Sequence, residues 1–110
     1  MRFLNLSDNN IHTTGAYHLA GCPALARLSC LDLSHNAVGD AGAAALAESP
    51  HLSGLQALNL TACRVKVDGA QALIRSPHLK QLRHLDLVNA RLSAPVKAAL
   101  RERFGPLVRT

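Results

Sequence analysis

Aromatic side chains are almost missing from this chain. Its 110 residues include no tryptophan, one tyrosine and two phenylalanines (Tyr17, Phe3 and Phe104). A core without rings must be assembled from many small aliphatic contacts, which suits thin, regular layers better than one thick globule. Long apolar runs are lacking too. None approaches the ~20 residues that a membrane-spanning helix needs, so no membrane association is expected. Cysteine is scarce: Cys22, Cys30 and Cys63 are odd in number and form no C-x-x-C pair. They read as reduced thiols, mostly buried as small apolar groups. Met1-Arg2-Phe3-Leu4 lead straight into the pattern described below, with no basic, apolar and small-residue leader ahead of it. A cytoplasmic location is the expectation.

Signatures of chemistry are missing as well. No G-x-G-x-x-G, G-x-x-x-x-G-K-[ST], H-E-x-x-H or G-x-S-x-G occurs, so neither a phosphate cradle, a zinc helix nor a nucleophile elbow is indicated. The expectation is no catalytic residue, no metal and no cofactor. Acidic residues are few in the second half. Residues 61–110 hold ten Lys or Arg against Asp68, Asp86 and Glu102, whereas residues 1–60 hold Arg2 and Arg27 against Asp8, Asp32, Asp40 and Glu48. The basic half could favour an acidic partner.

What the sequence does have is a repeat. Leu31-Asp32-Leu33-Ser34-His35-Asn36-Ala37-Val38 returns, with changes, at Leu4, Leu58 and Leu85, each 27 residues apart. A fixed period in this range sets the architecture before any local reading. Four units are expected, over residues 1–27, 28–54, 55–81 and 82–108 of one domain. Their apolar columns are Met1/Leu28/Leu55/Leu82, Leu4/Leu31/Leu58/Leu85, Leu6/Leu33/Leu60/Leu87 and Ile11/Val38/Val65/Leu92. Alternation at the second and third columns marks a strand of about three residues with one buried face. The ninth position reads Asn9, Asn36, Cys63, Ala90. An asparagine there can satisfy backbone groups that the bend leaves unpaired, which otherwise cost about 1–3 kcal/mol each. The ladder should be complete in the first two units, weakened at Cys63 and absent at Ala90.

The second half of each unit reads as helix. Small and apolar columns Gly15/Gly42/Gly69, Ala16/Ala43/Ala70 and Leu19/Leu46/Leu73 fall on one helical face. Asp40 reads as an N-cap, with Thr13 in the same column. Pro23, Pro50 and Pro77 share a column that stops each helix. His51 and His78 sit in identical Ser-Pro-His-Leu tetrapeptides, so they read as column residues of a return loop. The fourth unit differs: Pro95 and Val96 enter the first turn, and Lys97, Arg101, Glu102 and Arg103 place charge where other units carry alanine and isoleucine. That is the form of a terminal cap whose outer face meets water. The first unit has no such cap, and its apolar edge is expected either to be covered by further repeats of a longer array or to self-associate.

These residues resemble leucine-rich repeat proteins, and the long helical half is similar to their ribonuclease-inhibitor-like subclass. The L-x-x-L-x-L-x-x-N pattern is met by Leu28, Leu31, Leu33 and Asn36, and by Met1, Leu4, Leu6 and Asn9; the later units replace the asparagine with Cys63 and Ala90. The resemblance implies an α/β solenoid with a parallel sheet on its concave side and helices outside. It also implies a non-catalytic module that binds another protein, through residues beside the strand leucines. The candidates are Phe3, Asn5, Ser7, Asp32, Ser34, His35, Asn59, Thr61, His84, Asp86 and Asn89, with Asn9, Asn36 and Cys63 as the structural ladder. The alternative is a polyanion or nucleic acid held by the basic half, where Arg64, Arg83 and Arg91 could cluster. The shortage of aromatics for base stacking argues against nucleic acid. Four strands at ~4.8 Å spacing give a face of roughly 150 Å², far below the ~800 Å² per partner of a standard interface. The chain alone is therefore expected to bind weakly, to use its loops and helices too, or to be one piece of a larger concave surface.

Overall fold

The computed structural model describes residues 2–110. Met1, expected in the first leucine column, lies outside them. Strand and helix alternate along the chain: β1 (Phe3–Asn5), α1 (Thr13–Ala20), β2 (Cys30–Asp32), α2 (Gly39–Ala47), β3 (Ala57–Asn59), α3 (Val67–Arg75), β4 (His84–Asp86), α4 (Ala94–Phe104) and β5 (Val108–Arg109). The strands form one parallel sheet in sequence order. The register repeats the 27-residue period: Leu4 lies beside Leu31, Leu31 beside Leu58, and Leu58 beside Leu85. The structure is an α/β repeat solenoid. Its core is a stack of leucines between sheet and helices, with Leu33, Leu55, Leu82, Leu85 and Leu87 wholly buried.

Where four strands are expected, five are present among the described residues. Val108 lies beside Leu85 and Arg109 beside Asp86. The last return is therefore shorter than the period, which is why the repeat pattern does not reveal it. Gly105 adopts φ +96°, stops α4 and turns the chain back. The amides of Leu85 and Leu87 then donate to the carbonyls of Leu107 and Arg109.

Polar groups bind the layers together. The Asn36 carboxamide oxygen accepts from the amides of Asn9 and Ile11, each at 2.9 Å. Its nitrogen donates to the carbonyls of Leu6 and Leu33, also at 2.9 Å. One side chain thus closes the bend in its own layer and in the layer before it. Asn9 does not match this. It is exposed and donates only to Ser7 O, because no earlier bend faces it in the described residues. Cys63 is buried and its thiol donates to Leu33 O. Burial raises the thiol's pKa, with the Asn36 amide opposing that shift. The neutral thiol's contribution is therefore full at neutral pH and declines as pH rises past the ordinary thiol range. At Ala90 the backbone takes over, the Ala90 amide donating to Leu87 O.

Helix ends are also served across layers, which corrects the reading of Asp40. Asp40 lies inside the first turn of α2, and its carboxylate accepts from the amides of Lys66 and Gly69, capping α3 instead. Thr13 in the same column donates its hydroxyl to Val38 O at the start of α2. A Cβ on Gly69 would lie 2.8 Å from that Asp40 oxygen, so glycine holds the column there for space. At the opposite helix ends, the Ser49 and Ser76 hydroxyls donate to the carbonyls of Ala20 and Ala47. Arg103 occupies the same column in the fourth layer, and its guanidinium donates to the Leu73 and Ile74 carbonyls. Arg103 is therefore a half-buried cap on the C-terminus of α3, not a solvated charge; Arg101 and Glu102 do face water. The cation there also meets the negative end of the helix dipole.

Layer one is the least buried. Leu4, Leu6, Ile11, Leu19 and Leu25 are only partly covered, whereas Leu31, Leu33, Val38, Leu46 and Leu52 are buried. Phe3 and Tyr17 are exposed.

The ladder predicts opposite effects at two positions in one column. Asn36→Ala strands two amides and two carbonyls and should cost about 3 kcal/mol. Cys63→Asn supplies an acceptor facing the Asn36 amide and should add about 1 kcal/mol. Urea unfolding followed by far-UV circular dichroism measures both, and a destabilising Cys63→Asn would refute the column logic.

Candidate functional site: the strand face and its loops

Parallel pairing in register stacks the outward strand residues into two rows. One is Phe3, Cys30, Ala57, His84, and the other Asn5, Asp32, Asn59, Asp86. Between them lies a shallow depression of about 200 Å³. Its floor is short and apolar at Cys30 and Ala57, with Phe3 and the exposed His84 at its ends. Asp32, Asn59 and Asp86 form the polar side.

The second row is partly committed to the fold. Asn5 Oδ1 accepts from the amide and hydroxyl of Ser7. Asp32 Oδ1 accepts from the Ser34 amide at 2.9 Å, and Asn59 Oδ1 from the Thr61 amide at 3.0 Å. Each closes a short side-chain turn that leads out of its strand. The residues that follow, Asp8, His35, Ala62 and Asn89, all have left-handed backbone, with φ between +54° and +73°. Asp86 differs: its partner is the exposed Arg109 of β5, 3.8 Å away. One polar atom of Asn5, Asp32 and Asn59 is therefore spent, and only the second faces outward for a ligand.

Other candidates separate. Ser34 is 7% exposed and carries the Asp32 bond, so it is removed from the contact set. Ser7 and Thr61 are half-buried beside the same turns. His35 and Asn89 are exposed, but on the loops beyond the strands. The suggested Arg64, Arg83 and Arg91 cluster does not form. Arg64 and Arg91 follow the C-terminal ends of β3 and β4 in one column, while Arg83 precedes β4 and donates to the Lys80 and Leu82 carbonyls of its own loop. The sequence reading missed Asn10 and His12, which the structure brings beside His35. Aligning the loop columns would have flagged both.

Among the described residues, no three His, Cys, Asp or Glu side chains are placed to share a metal ion. No helix among them is long and apolar enough to cross a membrane.

A leucine-rich repeat family model matches residues 1–20 and 28–47, the strand and helix halves of the first two layers. No curated protein matches the chain significantly. The matched segments support a leucine-rich repeat protein. They coincide with the layers that keep Asn9 and Asn36, and stop before those carrying Cys63 and Ala90.

The strand-end turns predict a split by chemistry. Asp32→Ala and Asn59→Ala should each cost about 1 kcal/mol, because an amide loses its acceptor. Asp32→Asn and Asn59→Asp keep that oxygen and should stay within about 0.5 kcal/mol of the parent. Thermal melts of the four variants decide; equal losses in both pairs would show that the turn bonds carry no weight.

Proposed function

We propose that this chain is a non-catalytic protein-interaction scaffold of the ribonuclease-inhibitor-like kind. It engages a partner with the strand face around Cys30, Ala57, Asn59 and His84. The observation that carries the reading is the open depression on that face, with an apolar floor, one exposed aromatic and a row of outward polar atoms. A family that typically serves as an interaction scaffold supports it. So do Asn36, Asp40, Ser49 and Ser76, recurring polar residues whose side chains bond the backbone of a neighbouring layer. A reducing, cytoplasmic compartment suits three unpaired thiols.

Ala57→Arg fills the depression without touching a turn bond. It should weaken partner capture at least about tenfold, equivalent to ~1.4 kcal/mol, while its melt stays near the parent's. Quantitative crosslinking of parent and variant to the same partner pool measures this. Undiminished capture by a folded Ala57→Arg chain removes the strand face from the account.

The outer edge of β1 is a second contact surface in this proposal. Its half-covered Leu4, Leu6 and Ile11, beside exposed Phe3, suit a further layer or a second copy. Light scattering should show a mass that rises with concentration and falls on dilution. A strictly monomeric chain at high concentration ends the self-association reading.

A further inference from the structure

A depression separate from the strand face gathers polar groups. It measures about 280 Å³ and opens on the loops between strands and helices. Asn10, His12, His35 and Arg64 surround it, with Ala37 and Ala62 between them. The repeat explains the shape. Asn10, Ala37 and Arg64 are equivalent positions in successive layers, as are His35 and Ala62. Alanine falls in the second layer of one column and in the third layer of the other. Two short side chains therefore meet and leave a dip walled by longer ones. Asn36 closes the base, but its carboxamide is already saturated by backbone.

The chemistry of the walls is one-sided. Two imidazoles, one guanidinium and one carboxamide face the dip, and no carboxylate lines it. Asp8 sits one layer back in the His35 column, outside the lining, and Asp40 is turned away to cap α3. Among the described residues the single ion pair is Asp86 with Arg109, so Arg64 is not neutralised by an acid. The positive end of α1 begins directly after His12, with no acidic residue in its first turn. A guanidinium holds a carboxylate through paired hydrogen bonds. Imidazole nitrogens and the Asn10 carboxamide offer hydrogen-bonding groups that match the amide groups of a peptide backbone. No aromatic ring lines the dip to stack a base.

We propose that this loop pocket binds an acidic side chain of an extended partner peptide, with Arg64 on the carboxylate and His12, His35 and Asn10 on the flanking amides. The proposal rests on the chain being a protein-interaction scaffold, but it uses a surface separate from the Ala57 depression.

Nuclear magnetic resonance on the full chain tests it, with an end-blocked tetraglutamate peptide as probe and end-blocked tetraglutamine as control. Tetraglutamate should shift the His12 and His35 ring signals saturably and leave His18, His51 and His78 in place. Tetraglutamine should shift none. Arg64→Ala should raise the dissociation constant about three- to fivefold, the range of an exposed charge pair. Ala37→Glu, which sets an internal carboxylate on the floor, should abolish the shifts. Ala57→Arg should leave tetraglutamate binding unchanged, so failure of the strand-face reading and failure of this one are separable. Shifts spread evenly over the histidines, equal affinity in Arg64→Ala, or loss of binding in Ala57→Arg would each overturn the proposal.

Discussion

The carboxamide of Asn36 states the constraint on which this structure depends. A chain that bends sharply after a three-residue strand leaves amides and carbonyls that its own layer cannot pair. Buried and unpaired, each such group costs on the order of 1–3 kcal/mol. The second layer pairs those of the first, through four bonds from one side chain. The same dependence recurs wherever backbone is left over. Asp40 reaches forward to the first turn of α3, and Ser49, Ser76 and Arg103 reach back to the ends of the preceding helices. No layer is complete alone, so stability here resides in the joints between neighbours rather than in any unit.

That dependence narrows what the surface can do. The outward Asn/Asp row has the residue types expected of a binding face, yet one oxygen on each of its first three members is holding a turn. A partner can use only the atoms left free. Selectivity must therefore come from positions that the repeat leaves unconstrained: Phe3, Cys30, Ala57 and His84 along the strands, and Asn10, His35 and Arg64 along the loops. Each differs from its equivalents in the other layers, and none is needed to close a bend. The basic half of the chain shows the same division. Arg103 is held by helix carbonyls, whereas Arg64 and Arg91 stand exposed beyond the strand ends.

The period made most of the fold legible. Leucines 27 residues apart became neighbours in the sheet, because a repeated sequence asks for a repeated geometry. What stayed hidden were the contacts that cross layers and the places where the period breaks. Asp40 has the residue type and position of a cap for its own helix, but the Lys66 and Gly69 amides of the next layer lie within its reach. Arg103 looks like surface charge until its column is matched with Ser49 and Ser76. β5 returns early, only 23 residues after its partner Leu85, so no spacing rule points to Val108. The candidate face was legible as columns. Which of its members were free was not, since Ser34 and Thr61 differ from exposed serine and threonine only through turns that sequence does not display.

The two ends of the stack are unequal in the apolar area they leave uncovered. At the C-terminal end, β5 continues the sheet, Phe104 and Val108 are buried, and Arg103 seals the helix layer. At the other end the leucine columns are only partly covered. Fully burying one leucine is worth about 1.5–3 kcal/mol, so several half-covered apolar residues on one surface hold several kcal/mol of unrealised burial. Any further contact that this chain makes through the hydrophobic effect gains most at the β1 edge. Contacts that depend on charge gain most at the loops around Arg64. These are different surfaces with different physics: the first responds to concentration and temperature, and the second to salt. A partner that used both would lie across the first three layers, from the β1 edge to Arg64, and the family pattern covers the first two of them.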